Sequence, residues 1–239
     1  MFAKISFVCL LACSLMSDAA PPELTKCNTA DSKCIKSSAQ AFIGTFVAGN
    51  KEWGVEPLDP FFIKTLDAST PNLKLVLNDV TAKGLKNCEI KKMQFDQVES
   101  KLNVKAECTV ELDGQYNMDG NIIFLDIQGN GHAHVILRKA VISAVADIVE
   151  VTGKDGLKHW SIKRYSHSYE LKDKATIELE NLFNGNEVLG RVAKDLFRNS
   201  PNEVIAEVGP PIIAAVIEKI VTTVNHFFKK VPLEHLIEK

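Results

Sequence analysis

From about Phe61 to Asn181, apolar residues recur at every second position, in runs that exceed ten residues. No other feature limits the fold of this chain as tightly. Successive side chains of a strand point to opposite faces, so a period of two marks a sheet with one apolar face. Leu73, Leu75 and Leu77 alternate with polar neighbours. Leu102, Val104, Ala106, Cys108, Val110 and Leu112 share one face of a longer run. Ala175, Ile177 and Leu179 oppose Lys174, Thr176 and Glu178. Asp113-Gly114, Gly129-Asn130-Gly131 and Gly153-Lys154-Asp155-Gly156 read as turns between strands. Such runs are longer than the usual strand of about five or six residues. An antiparallel meander of long strands has to curl, a shape suited to wrapping around something elongated.

Helical spacing flanks this stretch on both sides. Asp31 caps a helix expected from Ser32, whose apolar face is Ile35, Ala39, Phe42, Ile43 and Phe46, with its end at Gly49-Asn50. Pro57-Leu58-Asp59-Pro60 follows as a rigid turn. After Gly185, Val188, Leu189, Val192, Leu196 and Phe197 suggest a helix that stops before Pro201. Pro210-Pro211 then opens the strongest helix, with Ile212, Ile213, Val216, Ile217, Ile220, Val221, Val224, Phe227 and Phe228 on one side. Glu218-Lys219 in mid-run makes this helix too amphipathic to span a membrane. So wide an apolar stripe needs a large concave partner, which a curled sheet would supply.

The first residues have the pattern of a secretory leader. Lys4 gives a positive start, Ile5 to Met16 an apolar stretch too short to cross a bilayer, and Ser17-Asp18-Ala19 a cleavage site after Ala19. The expected organisation is a signal peptide over residues 1–19 and one domain over residues 20–239. Cleavage removes Cys9 and Cys13 and leaves Cys27, Cys34, Cys88 and Cys108 in an oxidising compartment. Four cysteines allow three pairings. Cys88 and Cys108 are each ten residues from Val98, so a hairpin turning at Gln97-Val98-Glu99 sets them opposite one another, within disulfide reach. The expectation is Cys27–Cys34 and Cys88–Cys108, the alternative for the second pair being two buried thiols.

Lys plus Arg is 28 against Asp plus Glu 30, a net charge of −2 that argues against nucleic acid as a partner. There is no Gly-x-Ser-x-Gly, His-Glu-x-x-His or Gly-x-x-x-x-Gly-Lys-Ser/Thr motif, so no catalytic residue is nominated. His132 and His134 share a strand face, the start of a metal site, but no third ligand is spaced to complete it. Val135, Leu137 and Val141 take the opposite face, which turns the histidines to solvent, and no metal or cofactor is expected. Tyr165, His167 and Tyr169 also share a face, either as polar anchors inside a cavity or as an outer sheet surface. Lys229-Lys230 reads as a solvated helix end.

Together these residues resemble the insect takeout / juvenile hormone-binding protein family. The resemblance rests on Cys27-x6-Cys34 with Asp31 between them, Pro57-Leu58-Asp59-Pro60, and Gly84-Leu85-Lys86 ahead of Cys88. It continues through Gly114-Gln115-Tyr116, Gly120 and Gly129-Asn130-Gly131, Leu182-Phe183-Asn184-Gly185-Asn186, and Lys230-Val231-Pro232 before Leu236. It implies an α+β fold, a long curved antiparallel sheet wrapped around a long helix in a tubular lipid-binding (TULIP-like) super-roll with an apolar tunnel. It also implies a secreted carrier of terpenoid, juvenile hormone-like or fatty-acid-like ligands, with circadian, feeding or chemosensory roles. In the hormone-binding branch the second disulfide lies nearer the C-terminus. No cysteine follows Cys108 here, which sets this chain with the takeout-like branch.

Given a tunnel, periodicity nominates Phe42, Ile43, Phe46, Leu125, Val135, Leu137, Phe183, Ile213, Val216 and Phe227 as its lining. The expected partner is one small hydrophobic ligand, without stable membrane insertion, with the protein as a monomer and any receptor unknown. The alternative is a membrane-active lipid-transfer or defence protein of the same fold.

Overall fold

The computed structural model describes residues 24–238, and the expected leader over residues 1–19 lies outside the described residues. Helix α1 (Ser32–Ala48) begins where Asp31 accepts hydrogen bonds from the Lys33 and Cys34 amides, both at 3.0 Å, and ends at Gly49. Seven strands follow: β1 (Phe61–Asp67), β2 (Leu73–Lys83), β3 (Glu89–Asp96), β4 (Lys101–Ile122), β5 (Leu125–Thr152), β6 (Lys158–Leu171) and β7 (Thr176–Leu179). Then come α2 (Glu187–Asn199), α3 (Pro201–Val208), α4 (Pro210–Lys230) and the short α5 (Leu233–Leu236).

All seven strands form one antiparallel sheet in the order β1-β2-β4-β5-β6. Its spine is the β4–β5 hairpin, 22 and 28 residues long, paired from Lys101↔Asp147 to Ile122↔Leu125. Because the spine is so long, shorter strands share its flanks. β3 pairs with the start of β4 and β2 with its end, while β7 pairs with the start of β5 and β6 with its end.

The glycine signals were only partly turns. Gly153 to Gly156 do connect β5 to β6, but Asp113-Gly114 lies inside β4 and Gly129-Asn130-Gly131 inside β5. The real turn of the spine is Ile123-Phe124, with Ile123 at φ 58°. The glycines within the strands mark close approach. A Cβ on Gly129 would stand 2.8 Å from the Tyr116 hydroxyl, and one on Gly131 2.9 Å from the Glu180 carbonyl. Tyr116 in turn donates its hydroxyl to the Glu180 carbonyl at 2.5 Å, and burial, with the Glu180 charge, pushes its phenol up to about 12.

Cys88 and Cys108 form a disulfide across opposed positions, with Cα atoms 4.3 Å apart, and Cys27 pairs with Cys34. The β3–β4 turn is Gln97 to Ser100, half a residue later than the spacing indicated. A register shift between Ile90 and Lys92 restores the opposition at the cysteines. The N-terminal segment carrying Cys27 also pairs with the chain end, Cys27 bridging Ile237 and the Glu238 amide donating to the Cys27 carbonyl at 3.0 Å.

Helix α2 differs from the sequence reading. Its buried residues are Gly190, Ala193, Leu196 and Phe197, whereas Val188, Leu189 and Val192 are exposed. The run also does not simply stop at Pro201. Proline fits the first position of a helix, where its missing N–H costs nothing, and α3 starts there. By length and composition α4 could cross a membrane, but here its apolar stripe lies in the concave side of the sheet.

One close approach carries a test. Gly84, at φ 110°, follows β2, and the Asp59 carboxylate accepts from its amide at 3.0 Å and from the Lys86 amide at 2.7 Å. A Cβ there would stand 2.2 Å from the Thr109 carbonyl oxygen. Gly84→Ala is expected to lower stability by at least about 2 kcal/mol, read from the urea midpoint. Gly44→Ala, on an exposed turn of α1 with nothing within 4 Å, is expected to be neutral or stabilising.

Candidate functional site

The sheet curls until its two edges meet helices. An open strand edge presents unpaired amides and carbonyls, and here side-chain amides meet them. On the β3 side, Gln40 of α1 donates to the Cys88 carbonyl at 3.1 Å and accepts from the Ile90 amide at 2.6 Å. On the β6 side, Asn225 of α4 accepts from the Ile162 amide at 2.8 Å and from the Ser161 hydroxyl at 3.3 Å. The helices α1 and α4 join through aromatic rings. Phe227 lies 5.6 Å from both Phe42 and Phe46, centroid to centroid, and Trp160 lies 5.6 Å from Phe228.

The rolled sheet and these helices enclose an apolar cavity of about 410 Å3. That falls in the usual range for small-molecule sites, about 300–1,000 Å3. All nine residues of the α4 stripe, from Ile212 to Phe228, stand on its wall. A second cavity of about 90 Å3 lies beyond, and Leu112, Leu137, Ile212 and Ile213 belong to both walls.

Of the ten nominated lining residues, Phe42, Ile43, Phe46, Leu137, Ile213, Val216 and Phe227 lie on the wall of the larger cavity, and Val135 on that of the smaller. Leu125 and Phe183 line neither. They pack with Ile127, Leu196 and Phe197 in the core beneath α2, because Leu125 directly follows the spine's turn and Phe183 sits in the short turn ahead of α2. Val141 is also off the wall. A bulge at Lys139, φ 45°, shifts the alternation by one, so Ala140, Ile142, Ala144 and Ala146 face the cavity instead. No local signal in the sequence announces that shift. Val104 and Ala106, by contrast, were on a legible strand face and do line the cavity.

Two polar groups singled out by spacing have different settings. His134 places Nδ1 2.7 Å from the Asp113 carboxylate, with Glu111 close by, so the ligand atoms of all three lie within 4.8 Å of one another. These are the residues that could hold a metal. Lys83 already lies 2.9 Å from the Glu111 carboxylate, which makes the cluster an ion-pair network on the outer face of the sheet. Tyr165 and Tyr169, by contrast, line the cavity. Tyr169 donates to the Ile205 carbonyl at 3.3 Å, and burial pushes its phenol above the ordinary value. The outer-surface alternative therefore fails for the two tyrosines, while His167 between them lines neither cavity.

The chemistry available is enclosure of apolar surface. Ser38, on the wall, donates its hydroxyl to the Thr25 carbonyl at 2.8 Å.

Comparison with known proteins agrees with this geometry. The sequence model of the family described as haemolymph juvenile hormone binding protein matches residues 6–238. The juvenile hormone-binding protein of Manduca sexta is 29% identical over 100 residues, which are 37% of this chain and 44% of that protein, so the chain spans less than half the length of this curated relative. The crystal structure of takeout 1 from Epiphyas postvittana superposes with a TM-score of 0.86 at 30% identity, over 90% of this chain and 99% of that one. With a family match along nearly its whole length and the same rolled sheet, this chain belongs to the haemolymph juvenile hormone binding protein family.

Proposed function

We propose that this protein is a secreted, monomeric carrier whose single domain, residues 20–239, holds one small hydrophobic molecule in the larger cavity. The observation that carries this reading is an apolar interior of about 410 Å3, walled by the sheet, α1 and α4. Each buried CH2 of a ligand contributes about 0.8 kcal/mol. Roughly ten of them give about 8 kcal/mol before the costs of association, so micromolar binding needs no reactive group. A terpenoid, a juvenile hormone-like molecule or a fatty-acid-like chain fits this description. The name of the Manduca relative supports the hormone class, and the family's description supports an extracellular fluid as the site of action. Two disulfides agree with an oxidising compartment. Binding without turnover is the reading for the cavity, with no cofactor, and the physiological setting is circadian, feeding or chemosensory.

Protein expressed through a eukaryotic secretory pathway and purified without detergent is expected to release a stoichiometric apolar molecule into organic solvent, identified by mass spectrometry. An empty protein that also refuses fatty-acid and terpenoid probes would overturn the reading. Phe46→Trp, which enlarges a wall residue, is expected to weaken a long-chain probe by about tenfold while leaving the circular dichroism spectrum unchanged.

One observation favours a second reading, lipid transfer at a membrane. Val188, Leu189 and Val192 are exposed on α2, beside Arg191 and Arg198. The carrier reading expects the protein to stay in the supernatant when spun with anionic phospholipid vesicles. Co-sedimentation that Val192→Asp abolishes would favour the second.

A further inference from the structure

β6 is the last strand of the sheet, and its outer edge runs along α4. Hydrogen bonds tie β6 to helices at two points, the Ser161 hydroxyl and Ile162 N–H to Asn225 at one and the Tyr169 hydroxyl to the Ile205 carbonyl at the other. Among the described residues, no hydrogen bond ties residues 163–168 to a helix between those points. Tyr165 lies within this stretch. It lines the cavity and is also 37% exposed, so it stands at an opening.

His167 sits two residues further along. By strand alternation it shares the face of Tyr165 and Tyr169 and opposes the wall residue Ala144, so it sits beside the cavity wall without itself lining either cavity. Its ring stacks on Tyr165 with centroids 6.3 Å apart and planes at 22°. Its Nδ1 is buried and has no hydrogen-bond partner among the described residues. A buried nitrogen left unpaired costs free energy unless something else meets it, and the cavity wall next to it is apolar. The charged neighbours on the strand do not compete for it. Arg164 is held by Asp147 at 2.7 Å, and Lys163 is exposed.

We infer that the gap between β6 and α4 is the mouth of the cavity, and that the unpaired Nδ1 of His167, beside Tyr165, binds the polar end of a single-chain amphiphile terminating in a hydroxyl or carboxyl oxygen. This rests on the carrier reading and adds a ligand class and an orientation, with the oxygen at the mouth and the tail along α4. A neutral imidazole accepts from a hydroxyl at Nδ1 when the proton is on Nε2, and donates to a carboxylate when it is on Nδ1. A plain hydrocarbon leaves the nitrogen unpaired.

The test is displacement of bound N-phenyl-1-naphthylamine by dodecan-1-ol, dodecanoic acid and dodecane, in wild type and in His167→Leu. The alcohol or the acid is expected to displace the probe from wild type at about tenfold lower concentration than dodecane does. In His167→Leu that advantage is expected to shrink to about twofold or less, with dodecane unmoved, and in His167→Gln, which keeps a hydrogen-bonding side chain, to persist in part. Whichever of the two head groups keeps the advantage identifies the ligand class. If His167→Leu does not fold, His167→Phe replaces it. Equal displacement by all three compounds in wild type, or an advantage that survives in the folded apolar variant, overturns the anchor and leaves the carrier reading standing. Failure of wild type to bind the probe or any of the three compounds overturns both.

Discussion

Twist along a very long ladder governs the rest of this structure. Each strand pair carries a right-handed twist, and in β4 and β5 it accumulates over strands of 22 and 28 residues whose pairing is interrupted only by a bulge. A ladder of that length cannot stay flat. The bulge where Thr109 faces Lys139 fixes where it bends, and the glycines at 114, 129 and 131 let neighbouring chain come close to it. The curl produces a concave face too deep for its own side chains to fill. Everything else either lines that hollow or closes it.

Closure depends on few groups. Gln40 and Asn225 each turn a side-chain amide onto a strand edge that would otherwise present bare backbone, and so fix where α1 and α4 dock. The Cys88–Cys108 disulfide ties β3 to β4 beside the Gln40 contact, and the Cys27–Cys34 bridge holds the N-terminal segment against α1, where it meets the chain end. These bonds surround the hollow without crossing it. An interior walled mainly by hydrocarbon can therefore persist beside a well-ordered rim.

Much of this was legible because alternation and helical periodicity are local signals. The α4 stripe emerges residue for residue on the cavity wall, and the spacing of Cys88 and Cys108 about Val98 located a disulfide across two strands. Features that depend on distant neighbours were not legible. Gly129 and Gly131 look like a turn until the 180–182 segment is seen crossing over them. The bulge at Lys139 reverses which residues face inward, and nothing near it in the chain predicts that. On α2 the exposed flank is as apolar as the buried one, so composition could not tell them apart. Tyr165 and Tyr169 had the right spacing to share a face, but only the direction of the sheet's curl decides that the face is the inner one.

The hollow also sets how this molecule responds to compression. Folded proteins lose internal void volume when they unfold, so pressure favours the unfolded chain in proportion to the space enclosed. About 410 Å3 bounded by a covalently pinned rim cannot be removed by small side-chain shifts. The unliganded form is thus softer to hydrostatic pressure than a solid core of the same size. An occupant that fills the space removes that weakness, so cargo is part of the protein's mechanical structure as well as its load.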